Sequence, residues 1–456
     1  MRKVKGLIVS VTYCFLLQST AGCSCGQPPE GEMDGGRRPR PDTNADVVRE
    51  DALVEDVAPS QVDGGTDGAR VGDDGGMREG RVECTHFHRF NEDFWHLSRD
   101  PDRGPPTFVD VAALPGVLVG VYSTSGVGTS GESGMRRIEA FRYVIGLGGS
   151  RPQPLEGTQN GVLPSIAAVG GNFLVAFVRD NQILLARYRG DLSPMGSPMV
   201  VASVRPTTPP RLSVGPRGGF LIWVHGGAIW GRMLDAMGNP MGEARMLVGA
   251  SPPVQQATIH WAKNGEDFAL AWANGDRPQV ARLRVGALNP VMMSAPINRL
   301  PGIFTSIDLG GASARVPGGE PFAGAVVYDF DDLGYRDLVF RVFDDEVRPN
   351  YPALSLSRKE VRVWSASVAP FLSGYLLVYR ARVMEEGGVM LQMGYLNREG
   401  CALGRVTERF SIGRIDAELG AVPQVAVDEG TVLILWSDDR TEYIDYWAAL
   451  VSCRER

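Results

Sequence analysis

One phrase that recurs seven times after residue 100 constrains the fold of this chain more than any other feature. Each copy has a short apolar strand, a turn containing Gly, a second apolar strand that ends in an aromatic residue, a polar loop and a third strand. The seven aromatic residues follow one another at intervals of 46 to 57 residues, at Tyr122, Phe177, Trp223, Trp272, Tyr328, Tyr379 and Trp436. A chain with such a period is expected to fold as an array of similar units.

The apolar segments run continuously or alternate at period two, and they are rich in Val, Ile and aromatic residues, which is typical of strands rather than helices. A four-stranded propeller blade takes about 40 to 50 residues. We therefore predict an all-β fold, a seven-bladed β-propeller over residues 83–456, with a pair of β-sandwiches as the alternative. The third strands are expected at Ile138–Val144, Ile183–Arg189, Ile229–Asp235, Val280–Val285, Leu338–Phe343, Met390–Leu396 and Ile444–Val451. The repeated aromatics are expected to pack between blades.

The last copy ends at Arg456, which leaves no room for a fourth strand. The segment Cys84–Leu97 precedes the first copy and can supply that strand, which closes the ring and removes its exposed edges. Donated and accepting strands would then lie side by side, so we predict a disulfide bond between Cys84 and Cys453. A bond that closes a loop of about 370 residues would contribute on the order of 4 to 5 kcal/mol. Cys401, in the corresponding turn of the sixth copy, is the competing partner.

The N terminus reads as an export signal. Arg2, Lys3 and Lys5 form a positive region, and Gly6–Leu17 is an apolar run too short to span a membrane. Thr20-Ala21-Gly22-Cys23 resembles the lipobox of bacterial lipoproteins, although that family usually has Leu where this chain has Thr20. The resemblance implies a signal peptide over residues 1–22, lipidation of Cys23 and an outer-membrane address facing the periplasm or the cell surface. Cleavage after Ala21, which would give a secreted soluble protein, is the alternative.

Residues 23–82 are expected to form a disordered tether. From residue 27 to 82 the chain contains fourteen Asp or Glu, seven Arg and no aromatic residue, so it cannot bury enough apolar surface to offset the entropy of ordering. This imbalance equals the whole formal charge of −7. The remainder is near neutral, without the basic stripe that nucleic-acid binding needs.

Six cysteines are present, of which Cys14 lies in the signal peptide and Cys23 would carry lipid. The other four are expected to form disulfides in an oxidising compartment. The pairing of Cys25 and Cys401 is left open.

The loops between second and third strands meet at one mouth of a propeller, where ligands usually bind. Candidate ligand-binding residues in these loops are Asp180, Asn181, His225, Asn274, Asp276, Asp332, Arg380, Asp439 and Arg440. Asp331 and Asp438 could serve as acid and base in a hydrolase or lyase that acts on polysaccharide. A solvated loop would have the same composition, so no catalytic residue is assigned.

No metal or cofactor is expected. Asp329–Gly334 resembles a calcium loop but lacks the later Glu ligand. Cys84, His86 and His88 have metal-like period-two spacing on one strand. Because Cys84 is expected in a disulfide, a third and a fourth ligand would have to come from residues that the sequence does not identify.

Nucleophile-elbow, phosphate-loop and zinc-protease motifs are absent from the sequence. The combination of signal, tether and degenerate repeats resembles a broad group of bacterial lipoproteins with β-propellers, a likeness that implies no site residues. We therefore expect a monomeric module, anchored to the membrane by lipid, that binds an envelope protein or glycan. The alternative is a polysaccharide hydrolase or lyase.

Overall fold

The fold is all-β and is built from many small antiparallel sheets. The computed structural model describes residues 82–86, 95–100, 108–127, 133–249, 251–262, 267–273, 278–293, 307–311, 323–330, 336–344, 347–348, 354–355, 361–371, 374–383, 389–396, 409–413, 422–438 and 444–455. Within these ranges no helix is both long and apolar enough to cross a membrane. The predicted signal peptide, the tether, Cys23, Cys25 and Cys401 lie outside the described residues.

The first half of the domain contains two N-terminal strands and three sheets. The N-terminal strands are β1 (Val82–His86) and β2 (Trp95–Asp100). Sheet 1 contains β3 (Val109–Leu114), β4 (Val117–Val127), β5 (Ser133–Val144), β6 (Gly148–Gly149) and β7 (Gln153–Pro154). Sheet 2 contains β8 (Val162–Val169), β9 (Asn172–Arg179), β10 (Gln182–Arg189) and β11 (Met199–Ala202). Sheet 3 contains β12 (Arg211–Gly215), β13 (Gly218–His225), β14 (Ala228–Leu234) and β15 (Pro240–Val248).

The second half forms four more sheets. Sheet 4 contains β16 (Gln256–Trp261), β17 (Asp267–Ala273), β18 (Gln279–Arg284) and β19 (Ala287–Met293). Sheet 5 contains β20 (Ile307–Gly311), β21 (Ala323–Phe330), β22 (Arg336–Phe343) and β23 (Leu354–Ser355). Sheet 6 contains β24 (Val361–Phe371), β25 (Gly374–Val383), β26 (Val389–Leu396) and β27 (Arg409–Gly413). Sheet 7 contains β28 (Gln424–Asp428), β29 (Thr431–Asp438) and β30 (Ile444–Glu455), together with β1 and β2.

In each sheet the first three strands in chain order from β3 onward form an antiparallel meander, so the first of them is an edge. In sheet 1 both β6 and β7 pair with β5, and in sheet 7 both β1 and β2 pair with β30. The expected third strands are confirmed as β5, β10, β14, β18, β22, β26 and β30. First strands of neighbouring sheets also contact one another in chain order from β3 through β8, β12, β16, β20 and β24 to β28, and β28 contacts β3.

The apolar cores lie between neighbouring sheets rather than inside a single layer. One cluster joins sheets 1 and 2 around Phe177, another joins sheets 3 and 4 around Trp272, and a third joins sheets 6 and 7 around Trp436. Tyr122 and Trp223 occupy similar positions in two further clusters. All five of these aromatics are buried, which confirms the predicted packing role for them.

Sheet 7 receives its outer strands from the N-terminal end of the chain. Strand β1 pairs antiparallel with the last part of β30, and β2 pairs with its first part. The register sets the Cα of Cys84 opposite that of Cys453, and Cys453 is disulfide-bonded. Directly opposite positions in antiparallel strands are about 4.5 to 5.5 Å apart at Cα, within the range for a disulfide. The Cys84–Cys453 pairing remains a prediction that this register favours.

We predict that Gly430→Ala costs more stability than Gly171→Ala. Both glycines precede a second strand and have positive φ, 88° and 78°, so each alanine bears a similar backbone strain of about 1–2 kcal/mol. A Cβ at Gly430 would lie 2.4 Å from the carbonyl oxygen of Cys453, whereas one at Gly171 meets nothing within 4 Å. Chemical denaturation should show about 1–3 kcal/mol of extra loss for Gly430→Ala. Equal losses would mean that β30 moves aside without cost.

Candidate binding site at the upper end of the sheets

The loops singled out in the sequence share one end of the sheets with the beginnings of the first strands. Val109 at the start of β3 is paired with Tyr122 in the middle of β4, so β3 begins on the side toward which β4 runs. The other sheets follow the same antiparallel order. We call the end at which the second strand turns into the third the upper end. The turns between first and second strands define the lower end.

The upper-end hairpins differ in length. In sheets 2 and 3 the turns have only two residues, Asp180-Asn181 and Gly226-Gly227, and all four have positive φ, as in a type I′ turn. These second strands end two residues after their aromatic, whereas β4 continues five residues beyond Tyr122 and β25 four beyond Tyr379. At about 3.3 Å per residue, the hairpins of sheets 1 and 6 extend roughly 7–10 Å further.

Sheet 7 lies between the two sheets that have these long hairpins, because β28 contacts both β24 and β3. Its own second strand ends at Asp438, only two residues after Trp436. The upper end of sheet 7 is therefore flanked on both sides by longer hairpins. We call this region the flanked site.

Side chains fasten both flanking sheets to sheet 7. On one side the rings of Tyr122 and Tyr446 stack with centroids 4.3 Å apart, and the Tyr446 hydroxyl donates a hydrogen bond to the carbonyl oxygen of Ser123. On the other side Arg380 donates from Nη2 to the carbonyl oxygen of Ser437. Because Arg380 and Tyr446 are both buried, these links hold the relative position of the three sheets.

A buried carboxylate organises the hairpin of sheet 1. Glu139 accepts a hydrogen bond from the Tyr122 hydroxyl at 3.1 Å, and Arg137 forms an ion pair with it at 2.7 Å. The Arg137 side chain is 42% exposed although Glu139 is almost fully buried. This network connects the exposed guanidinium to the Tyr122–Tyr446 stack, so the surface charge is held by a rigid support.

A layer of polar residues crosses the first strands just below the upper end. In each second strand, the residue just before the repeated aromatic is paired with one residue of the first strand, and these seven first-strand residues form the layer. Six of them are polar: Asp110, Ser165, Arg211, Thr258, Ser367 and Gln424. The seventh position is Ile307 in sheet 5.

Two of these side chains satisfy amide groups on the next sheet. The Asp110 carboxylate accepts hydrogen bonds from the Ser165 hydroxyl at 2.8 Å and the Ile166 amide at 2.9 Å. The Ser165 Oγ accepts from the Leu212 amide of sheet 3 at 3.2 Å. The bonds from the Ile166 and Leu212 amides each pair an edge amide that would otherwise lack a partner within its own sheet.

Burial raises the pKa of Asp110, although the charge of Arg211 and hydrogen bonds from Ile166 and Ser165 partly oppose the shift. A perturbed carboxyl group is often a sign of a functional site. Here the donors Ser165 and Ile166 belong to the framework of sheet 2 and the charge of Arg211 to sheet 3, so the contacts of Asp110 describe a structural role.

The structure describes some of the residues that the sequence grouped as loop candidates. Asp180 and Asn181 form the exposed tight turn of sheet 2. His225 is exposed at the end of β13, with Nδ1 3.0 Å from the carbonyl oxygen of Arg205. Asp438 is the last residue of β29. The remaining loop candidates, Asn274, Asp276, Asp331, Asp332, Asp439 and Arg440, lie outside the described residues.

The assignment of Arg380 to a loop was wrong. Strand β25 continues through Val383, so Arg380 lies within a strand and is only 2% exposed. The aromatic that precedes it, Tyr379, does not mark the end of the strand as it does in shorter hairpins. The Arg380 guanidinium donates a hydrogen bond from sheet 6 to sheet 7.

The sequence reading missed the polar layer. Each member is a single polar residue in an apolar strand, which reads as ordinary alternation. A signal was present, since Ser165, Arg211 and Gln424 each directly follow a proline at the start of a first strand. Among the side chains that the structure describes, no group of three or more His, Cys, Asp or Glu could hold a metal ion.

No protein family model matches the chain, and no curated protein is similar to it in sequence. Solved structures with a similar arrangement include the Dos1 propeller, at 8% identity and a TM-score of 0.45 over 78% of this chain and 95% of that one. A prolyl endopeptidase is similar at 10% identity and a TM-score of 0.42, over 76% of this chain and 50% of that one. The acylaminoacyl peptidase of Pyrococcus horikoshii has 11% identity and a TM-score of 0.42, over 77% and 53%.

We predict that the Asp110→Asn variant gains stability relative to the wild type as the pH rises. Because folding raises the pKa of Asp110, the native state binds the proton more tightly than the unfolded chain does. At a pH above the usual carboxyl pKa, ionisation of Asp110 therefore destabilises the wild type, whereas the side-chain amide of the variant does not ionise. Urea denaturation at about pH 3 and about pH 7 should show the stability difference shifting toward the variant at the higher pH.

Asp191→Asn is the matched control with the opposite sign. The side-chain and backbone hydrogen bonds from Ser193 lower the pKa of this exposed carboxyl. The stabilising contribution of ionised Asp191 is present at neutral pH and is lost as the pH falls through the lowered pKa. The same pH trend in both variants would contradict the assignment for Asp110.

Proposed function

We propose that residues 83–456 form a closed seven-bladed β-propeller that serves as a lipid-anchored cell-envelope module and binds a protein or glycan at the flanked site. The supporting observation for the fold is the cyclic order of contacts among first strands, in which β28 meets β3. The Gly116 amide also donates to the Asp428 carboxylate at 2.6 Å, which links sheet 1 to sheet 7. Each sheet then corresponds to one blade.

The pairing of β1 and β2 with β30 supports closure of the ring. A propeller whose last blade combines strands from both ends of the chain holds its first and last blades together through backbone hydrogen bonds. Without these strands, the outer edge of β30 would be open to pairing with other chains. The predicted Cys84–Cys453 bond would reinforce the same seam.

The observation that carries the binding function is the contrast in length between hairpins at the upper end. A rigid scaffold with loops of unequal length at one end is the usual arrangement for recognition. The flanked site combines two long hairpins, a short central strand and the exposed Arg137. The charged groups that are buried beside it, Glu139 and Arg380, are used in contacts that fix the scaffold.

The lipid anchor is inferred from the sequence around Cys23 and is tested by Cys23→Ser. We expect the wild type to fractionate with membranes and to incorporate labelled palmitate, because acyl chains bind a bilayer through buried methylene groups. The variant should lose the label. Equal partition of both proteins, with no label in either, would favour the secreted soluble alternative.

The binding function is tested with the full chain carrying either of two charge reversals. Arg137→Glu alters the flanked site and also removes the ion pair with Glu139, so its native circular dichroism spectrum and melting temperature are verified before binding is compared. Arg217→Glu reverses a charge at the lower end, in the turn between β12 and β13. We expect detergent-extracted envelope or a glycan array to reveal a partner whose affinity falls about tenfold or more in the first variant, since a charge at a contact can contribute above 1.4 kcal/mol. The second variant should bind as the wild type does.

Two results would overturn this assignment. Absence of any reproducible partner would exclude the binding function. Equal binding by both variants would place the contact elsewhere on the domain. Turnover of a polysaccharide during the same screen would favour the hydrolase or lyase alternative.

A further inference from the structure

Exposed apolar side chains are concentrated in one region and are mostly methionine. Among the side chains that the structure describes, seven large hydrophobic residues are exposed, and five of them are methionines between residues 195 and 246. Their exposed fractions are 39% for Met195, 37% for Met199, 55% for Met237, 37% for Met241 and 53% for Met246. We call this set the methionine margin.

The methionine margin lies on the outer strands of two adjoining sheets. Met199 begins β11, while Met241 and Met246 lie in β15, and these strands are the outer edges of sheets 2 and 3. Met195 and Met237 lie in the connections that lead into those strands.

Direct contacts join the two sheets beside this surface. Arg187 of sheet 2 donates to the Asn239 side chain of sheet 3 at 2.6 Å, and Arg232 of sheet 3 donates to the Val201 carbonyl of sheet 2 at 2.7 Å. The five thioethers are therefore grouped on one side of the domain.

Exposed thioethers react with peroxides. The methionine sulfur attacks one peroxide oxygen, an S–O bond forms and the O–O bond breaks. Sulfur loses two electrons, and the second oxygen is released as water after proton transfer, so one sulfoxide and one water form for each hydrogen peroxide consumed. Exposure of the sulfur controls this reaction more than its local charge does, because a thioether has no proton to lose.

The position of these residues allows oxidation without loss of the fold. At an outer strand the added oxygen can be hydrated. Met393 offers the contrast, since it is fully buried in the core between sheets 6 and 7. A sulfoxide at Met393 would bury a polar group in an apolar cluster, which is destabilising.

We propose that the methionine margin is a sacrificial oxidation site that consumes peroxide stoichiometrically while the fold is retained. Oxidation converts this surface from apolar to polar, and reduction of the sulfoxides restores it. The site is separate from the flanked site, and its chemistry does not depend on the partner that the flanked site binds.

The experiment treats the folded full-length protein with graded hydrogen peroxide and maps sulfoxide at each methionine by peptide mass spectrometry. We expect the five margin residues to react about tenfold or more faster than Met393, as exposure predicts. The circular dichroism spectrum and melting temperature should stay unchanged while these five are oxidised. A variant with Leu at all five positions should keep its fold and consume five fewer equivalents of peroxide.

Either of two results would overturn the proposal. Oxidation of Met393 at the same rate as the margin would show that burial does not protect it. Loss of the native spectrum in step with oxidation of the margin would show that these residues are structural. A single-site Met393→Leu variant and the variant with Leu at all five positions separate the cases, because unfolding that persists in the first and is absent from the second must arise from the margin.

Discussion

The amide groups along the free edge of a first strand need hydrogen-bond partners outside their own sheet, and in sheets 2 and 3 a side chain of the neighbouring sheet supplies one. Asp110 of sheet 1 reaches the Ile166 amide of sheet 2, and Ser165 of sheet 2 reaches the Leu212 amide of sheet 3. Sheet 2 thus both gives and receives support. An unpaired buried amide would cost about 1–3 kcal/mol, so these short polar side chains make it favourable for open edges to face one another.

Apolar packing acts between the same neighbours. Every described cluster draws its residues from two adjacent sheets, so no sheet can bury both faces alone. The upper end takes advantage of this arrangement. Its hairpins can vary in length because the strands below them are fixed by contacts on both sides, and the long hairpins of sheets 1 and 6 are each fastened to sheet 7 by a buried side chain.

Much of the strand order could be predicted from the sequence, because each second strand that packs between two sheets has an aromatic residue at the same position. Phe177, Trp272 and Trp436 are three examples. The interpretation of Arg380 as a loop residue was wrong, since hairpin length depends on cross-strand pairing beyond the aromatic. The role of Asp110 was equally hidden. Its partners are Ser165 and Ile166 in the next repeat, and no local pattern joins residues that far apart.

Sheet 7 combines β28, β29 and β30 with two strands far away in sequence, β1 and β2, which are aligned along the twelve residues of β30. A ribosome makes β1 and β2 long before their partner β30. Contacts at such sequence separation form slowly, and incomplete chains expose unpaired strand edges. Formation of β30 is therefore a condition for both earlier strands: a product truncated before Ile444 lacks the strand that β1 and β2 require, and such a chain is expected to be a target for proteolysis.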